Sequence, residues 1–137
     1  MNIGQVSKQT GLSNKMIRYY ESIGLLPKVQ RTEAGYRIYN TVHIQTLHFI
    51  LHAKALNFST DQTKALLQLW HNKDRHSGEV KHLALEHIEQ LKNQIVQLEH
   101  MVEVLQETAA CCSGNEKADC PILNKIEQGE KSIWFTR

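Results

Sequence analysis

The side chains best suited to metal chemistry in this 137-residue chain are its 3 cysteines, Cys111, Cys112 and Cys120, all near the C-terminal end. Cys112 and Cys120 bracket the short stretch Ser113 to Asp119, so a loop folding back on itself would bring two sulfurs to one ion. Thiolates are soft donors that suit Cu(I) and its heavier congeners and also Zn(II), so donor type alone does not choose the metal. Ligand count discriminates better. Two thiolates around a monovalent ion leave a net charge of about −1, whereas a divalent ion would be neutralised yet ordinarily asks for a third or fourth donor. Cys111, directly beside Cys112, is the candidate third ligand. An odd number of thiols argues against a disulfide framework and for metal or thiol chemistry in a reducing compartment.

A second chemistry belongs to the other end. Lys15, Arg18 and Tyr19 stand at i, i+3 and i+4 and share one helical face, while Met16, Ile17 and Tyr20 can turn inward or toward the next element. Such a face fits the major groove, with Arg able to read guanine and Lys or Tyr holding phosphates. Arg31, Tyr36, Arg37 and Tyr39 gather around the turn Glu33-Ala34-Gly35, where they are placed to grip the flanking backbone. The net charge of +2 hides this asymmetry: residues 1–60 carry +5 and the remainder −3.

These residues need elements to position them. Ile3, Val6 and Leu12 mark a short amphipathic element ending at Gly11, and Ser13 caps a second over Asn14 to Ser22, closed by Gly24. Two short helices about a tight turn predict a helix-turn-helix at about residues 3–23. Alternation from Val29 to Tyr39 predicts a hairpin wing at about 28–40. Helical spacing then runs from Thr41 to Leu56 and, capped by Ser59 or Thr60, from Thr60 to Trp70, completing a unit over 1–70. Ser77 is placed to cap a long helix over 77–110, in which Ala84, Ile88, Leu91, Ile95, Leu98, Val102 and Leu105 recur by alternating steps of four and three. That is a heptad seam, and nothing else in the chain is long enough to cover it, so a homodimer through this helix is expected. A metal-binding loop and short C-terminal helix follow over 111–128, the helix opened by Pro121, then a tail over 129–137.

With 41% hydrophobic and 22% charged residues, 7 Gly and 2 Pro, the chain is globular, and it is too short for a large multi-domain enzyme. It holds no Gly-rich phosphate loop, no carboxylate pair in an apolar setting and no nucleophile with a base at recognisable spacing, so no enzyme is expected. Met1 leads straight into a polar amphipathic segment and no apolar run approaches the roughly 20 residues of a membrane span, which points to the cytoplasm. His76, His82, His87 and His100 read as solvated or packed rather than as ligands; the pair His71 and His76 is a weak candidate for a borderline metal.

Several motifs in this order and spacing carry a family resemblance: the opening Met1 to Ser13, Ile17-Arg18-Tyr19-Tyr20-Glu21, Gly24-Leu25-Leu26 and Gly35-Tyr36-Arg37-Ile38-Tyr39. Over essentially its whole length the chain resembles the MerR family of transcription regulators. The resemblance implies a mainly α fold: a winged helix-turn-helix, a long antiparallel coiled-coil dimerisation helix and a C-terminal metal-binding loop. It implies that each subunit docks on half of a palindromic promoter through Lys15, Arg18, Tyr19, Tyr20, Arg31, Gly35, Tyr36, Arg37 and Tyr39, with Lys54 as the basic residue of a second winged region. It also implies that the dimer distorts double-stranded DNA so that RNA polymerase engages.

Cys112, Ala118-Asp119-Cys120-Pro121-Ile122, Arg75-His76-Ser77 and Val80-Lys81 are similar to the copper-efflux-regulator (CueR) branch of that family. In that branch the two loop cysteines hold one monovalent ion per subunit, Cu(I), Ag(I) or Au(I), while divalent sensors place a third Cys, from the other subunit, where Ser77 stands here. Antiparallel pairing would set Ser77 and Lys81 of one subunit near the loop of the other, where Lys81 and the helix N-terminus offset the residual negative charge. The sequence departs from its relatives in the adjacent Cys111 and in the tail Lys131 to Arg137, which lacks the Cys and His of some copper sensors. The expected function is thus activation of coinage-metal efflux or detoxification genes. Beside it stand a divalent sensor for zinc, cadmium, lead or mercury that uses Cys111, a thiol redox sensor, and a metal carrier.

Overall fold

The computed structural model describes residues 1–111 and 120–129. Among these residues, six helices and one small sheet follow in the order α1 (Ile3–Thr10), α2 (Asn14–Ser22), β1 (Gln30–Arg31), β2 (Arg37–Ile38), α3 (Thr41–Ala55), α4 (Thr60–His71), α5 (Ser77–Ala110) and α6 (Pro121–Gln128). The mainly helical, winged helix-turn-helix expectation is met. Two compact units result, Met1–Leu83 and Ala84–Arg137.

Local chemistry sets most boundaries of the first unit. Asn2 and Gln5 form a capping box at α1, and Gly11 ends that helix at φ +77°, a left-handed conformation natural to glycine. The Ser13 side chain accepts from the Met16 N–H to start α2. Asn40 with His43 boxes the start of α3, and Ser59 with Gln62 the start of α4. Ser77 departs from expectation by one position: it is the first helical residue of α5 rather than the residue before it, with the Glu79 N–H on the His76 carbonyl.

Packing closes the first unit around one cluster. Val6, Ile17, Tyr20, Leu25, Leu26, Val29, Tyr39, Ile44, Leu47, Ile50 and Leu67 are all buried in it, with α1 against α2 and α3, and α3 against α4. Three buried threonines, Thr10, Thr46 and Thr63, return their hydroxyls to the carbonyls of Val6, Val42 and Ser59, so burial leaves those groups bonded. β1 and β2 pair antiparallel with Gln30 opposite Ile38 and Arg31 opposite Arg37. Core packing therefore fixes α2 and the base of the wing while the wing tip projects.

In the second unit, α5 continues to Ala110 and α6 spans two turns. Val104 is its buried apolar residue on α5, whereas Ile88, Ile95, Leu98, Val102 and Leu105 of the heptad seam stand exposed in the single chain; Ala84 and Leu91 are half-buried.

Candidate nucleic-acid interface and metal centre

The α2 face divides as its spacing demands. Ile17 is fully buried and Tyr20 nearly so, while Lys15, Arg18 and Tyr19 point outward, with Tyr19 about half exposed. Met16 is exposed rather than turned inward. The Tyr19 and Tyr20 rings lie 5.8 Å apart and tilted, so the buried ring supports the exposed one from the core side.

The wing is held by its own turn and by one ion pair. Gly35 sits at φ +88°, its N–H bonds the Thr32 carbonyl at 2.9 Å, and Thr32 exchanges two bonds with Tyr36. Arg31 Nη1 donates to the Gly35 carbonyl at 3.0 Å, leaving the rest of its guanidinium at the surface. Tyr36 is 73% exposed at the tip. Half-buried Arg37 donates Nε–H to Glu21 Oε2 at 2.7 Å. Lys54, also half-buried, places Nζ 2.9 Å from Thr60 Oγ1, bridging the end of α3 to the start of α4.

Two residues expected to touch DNA belong instead to the core. Tyr20 and Tyr39 are 5% and 2% exposed. Burial raises both phenols above their ordinary value of 10.0; the neighbouring Tyr19 adds to this at Tyr20, and at Tyr39 the Glu21 carboxylate adds while Arg37, Arg18 and Arg31 oppose it. The Tyr39 hydroxyl is buried with no hydrogen-bond partner among the described residues. Both rings are thus neutral packing groups beneath the basic surface, because the helical period turns Tyr20, and the backbone just past β2 turns Tyr39, away from solvent.

The thiols are placed in part. Cys111 is exposed at the end of α5, with its N–H on the Glu107 carbonyl. Cys120 is a free, half-buried thiol at the N-cap of α6, its side chain makes no capping bond, and Pro121 occupies the first helical position. Cys112 lies outside the described residues, and among those described no group of three or more His, Cys, Asp or Glu side chains converges as a metal cage. Ser77 and Lys81 are both exposed on the first turns of α5. No helix among the described residues is long and apolar enough to cross a membrane.

Comparison with known proteins agrees with this arrangement. Residues 2–39 match the model of the MerR family regulatory protein, and residues 44–108 match that of the MerR DNA-binding region. The chain is similar to heavy metal-dependent transcription regulator 2 of Rhizobium meliloti, 44% identical over 133 residues that span 97% of this chain and 90% of that one. It is similar also to the regulator CueR of Yersinia pestis, 40% identical over 92% of this chain and 91% of that protein. Among solved structures it resembles the transcription regulator PbrR691 from Ralstonia metallidurans in complex with lead(II), with TM-score 0.79 and 32% identity over 92% of this chain and 98% of that one.

Proposed function

The chain belongs to the MerR family of regulatory proteins and is a DNA-binding regulator rather than an enzyme, and from that premise we propose that it is a heavy-metal-responsive transcription regulator whose effector is a monovalent coinage-metal ion, Cu(I), Ag(I) or Au(I). A homodimer through the exposed seam of α5 presents two basic heads to a palindromic promoter in the cytoplasm. Lys15, Arg18, Tyr19, Arg31 and Tyr36 meet the duplex directly. Arg37 and Gly35 shape the wing, and Lys54 holds the α3–α4 corner.

Ser77 is the observation that carries the monovalent reading. It opens α5, the point at which the divalent sensors that this chain resembles supply a third thiolate, and a hydroxyl is a poor substitute for one. Cys112 and Cys120 then hold one ion per subunit. In an antiparallel dimer, Lys81 of the partner subunit together with the helix N-terminus would supply positive potential for the residual charge of two thiolates on a monovalent ion. A bound ion would supply a link between the two sulfurs. The protein's part is to let that link favour one dimer conformation over another, because an ion bound equally in both would switch nothing. Distortion of the promoter then gives RNA polymerase access.

Cys111 favours a second reading, a divalent sensor with three thiolates, since it is exposed and adjacent to Cys112, and PbrR691, with which the fold agrees, was solved with lead(II). Titration of the reduced protein with Cu(I), Zn(II) and Pb(II), followed by Cys111→Ser, Cys112→Ser and Cys120→Ser, separates the two. The monovalent reading expects one Cu(I) per subunit, lost in the Cys112 and Cys120 variants and kept in the Cys111 variant. Preferential Zn(II) or Pb(II) binding that needs Cys111 overturns it. Promoter activation by oxidant without metal would indicate a redox sensor, and intact metal binding without any promoter binding would indicate a carrier.

A further inference from the structure

We infer that His48 and His52 on α3 form a second metal site, a two-imidazole chelate for a borderline divalent cation such as Ni(II) or Zn(II), separate from the thiols. The two residues are one helical turn apart, the spacing that puts i and i+4 side chains on one face. Their ring centroids lie 6.4 Å apart with planes inclined by only 19°. An ion bonded to both at about 2.0–2.1 Å would bring the centroids to roughly 5 Å, a closure within reach of side-chain rotation.

What separates this pair from the other histidine of α3 is that its nitrogens are uncommitted. His43 uses both: Nδ1 accepts from the Asn40 N–H at 3.0 Å and Nε2 lies 3.2 Å from the Pro27 carbonyl. Neither His48 nor His52 has a hydrogen bond or ion pair among the described residues. The half-buried His48 and exposed His52 line a recess of about 390 Å³ with Gln45, Phe49 and Trp70, open to water that would complete the coordination. Imidazole suits Ni, Zn and Cu(II), whereas the thiolates suit softer ions, so the two sites differ in the ions they select. An ion there would staple one turn of the helix whose other face carries Ile44, Leu47 and Ile50 into the core, and would stabilise the first unit by linkage.

Trp70 supplies a reporter, since it stacks on Phe49 at 4.6 Å in the wall of the same recess. The test uses the full chain with Cys111, Cys112 and Cys120 replaced by Ser, titrated with Ni(II) near neutral pH, with ion uptake measured by equilibrium dialysis and tryptophan fluorescence followed in parallel. The expected result is one Ni(II) per chain, quenched fluorescence and a raised melting temperature. His48→Ala and His52→Gln each weaken uptake by about tenfold or more while helicity is retained. Trp70→Phe keeps the uptake and loses the quenching, leaving Trp134 as the remaining tryptophan. Absence of uptake, uptake unchanged in both histidine variants, uptake lost instead in His71→Ala or His76→Ala, or quenching that survives Trp70→Phe overturns the site.

Discussion

Arg37 on the second wing strand donates its Nε–H to Oε2 of Glu21 in the last turns of α2, at 2.7 Å, with both side chains about three-quarters covered. The helix that carries Lys15 and Arg18 and the wing that carries Arg31 and Tyr36 are thereby tied to each other as well as to the common core. A pair this near the surface adds little to stability, under about 1 kcal/mol. In the proposed regulator its value would lie in orientation, since two contact surfaces held in register meet a duplex without first losing their relative freedom.

Glu21→Gln therefore makes a sharp case. The substitution removes a negative charge from the basic head, which by electrostatics alone would tighten DNA binding. Orientation predicts the reverse, about tenfold weaker operator binding with little change in melting temperature. Fluorescence anisotropy on operator and on random duplex compares the two, and tighter operator binding would show that the pair is no more than a local neutraliser.

Arg18→Ala should cost about 1–3 kcal/mol of operator affinity and relax preference at one base step, if this side chain reads a base edge. Lys15→Ala should weaken operator and random DNA alike and lower the slope of log affinity against log salt by about 1. Binding measured across a salt series distinguishes them, and identical slopes and preferences in both variants would reject this division of roles.

Tyr39→Phe tests the buried assignment. Its hydroxyl is out of water with no partner among the described residues, so deleting it should leave stability unchanged or raise it by about 1 kcal/mol, and should leave operator affinity intact. The pH dependence follows with a definite sign. Burial raises the phenols of Tyr20 and Tyr39 above 10.0, so the folded state keeps protons that the unfolded state has released, and stability falls as pH rises past 10.0. Below that value neither ring contributes any slope. Alkaline unfolding should shift to higher pH in Tyr20→Phe and Tyr39→Phe; an unshifted transition, or lost operator binding in Tyr39→Phe, would count against the core role.

The histories of these side chains show what the sequence could disclose. Ser13 was legible as a cap because it precedes an apolar-periodic run, and Gly11 because it follows one, whereas Ser59 and Thr60 both qualified at α4 and the structure chooses Ser59. Asn2 and Asn40 act by the same chemistry yet are easily passed over, since Asn serves turns as readily as caps. Tyr39 misleads because it follows Arg37 in a basic, aromatic segment, and composition there points outward while the chain just past β2 turns it into the core. Spacing allowed Ile17 and Tyr20 an inward turn, but it allowed Met16 the same, and the resemblance placed Tyr20 on DNA; only packing separates the three. His48 and His52 were likewise open to an i, i+4 reading, but only the structure reveals that their nitrogens are uncommitted and that Trp70 flanks them. Of the thiol site, spacing suggested the ligands, and the fold adds the place of Cys120 at a helix start.

The seam of α5 offers the most decisive mutation. Ile95, Leu98 and Val102 are each more than half exposed in the single chain, a cost that a lone helix would bear with no return. Pairing two seams would bury them, and at about 25 cal/mol per Å² a few such residues on each helix supply several kcal/mol of association free energy. Leu98→Lys puts an ammonium into that seam. It should raise the dimer dissociation constant by a hundredfold or more, since a desolvated, unpaired charge costs several kcal/mol. The first unit, with its own core, should keep its fold. Analytical ultracentrifugation across a concentration series reads the dissociation directly, and operator affinity should fall with it because two half-sites no longer share one ligand. A Leu98→Lys protein that stays dimeric would place the subunit contact elsewhere on the chain.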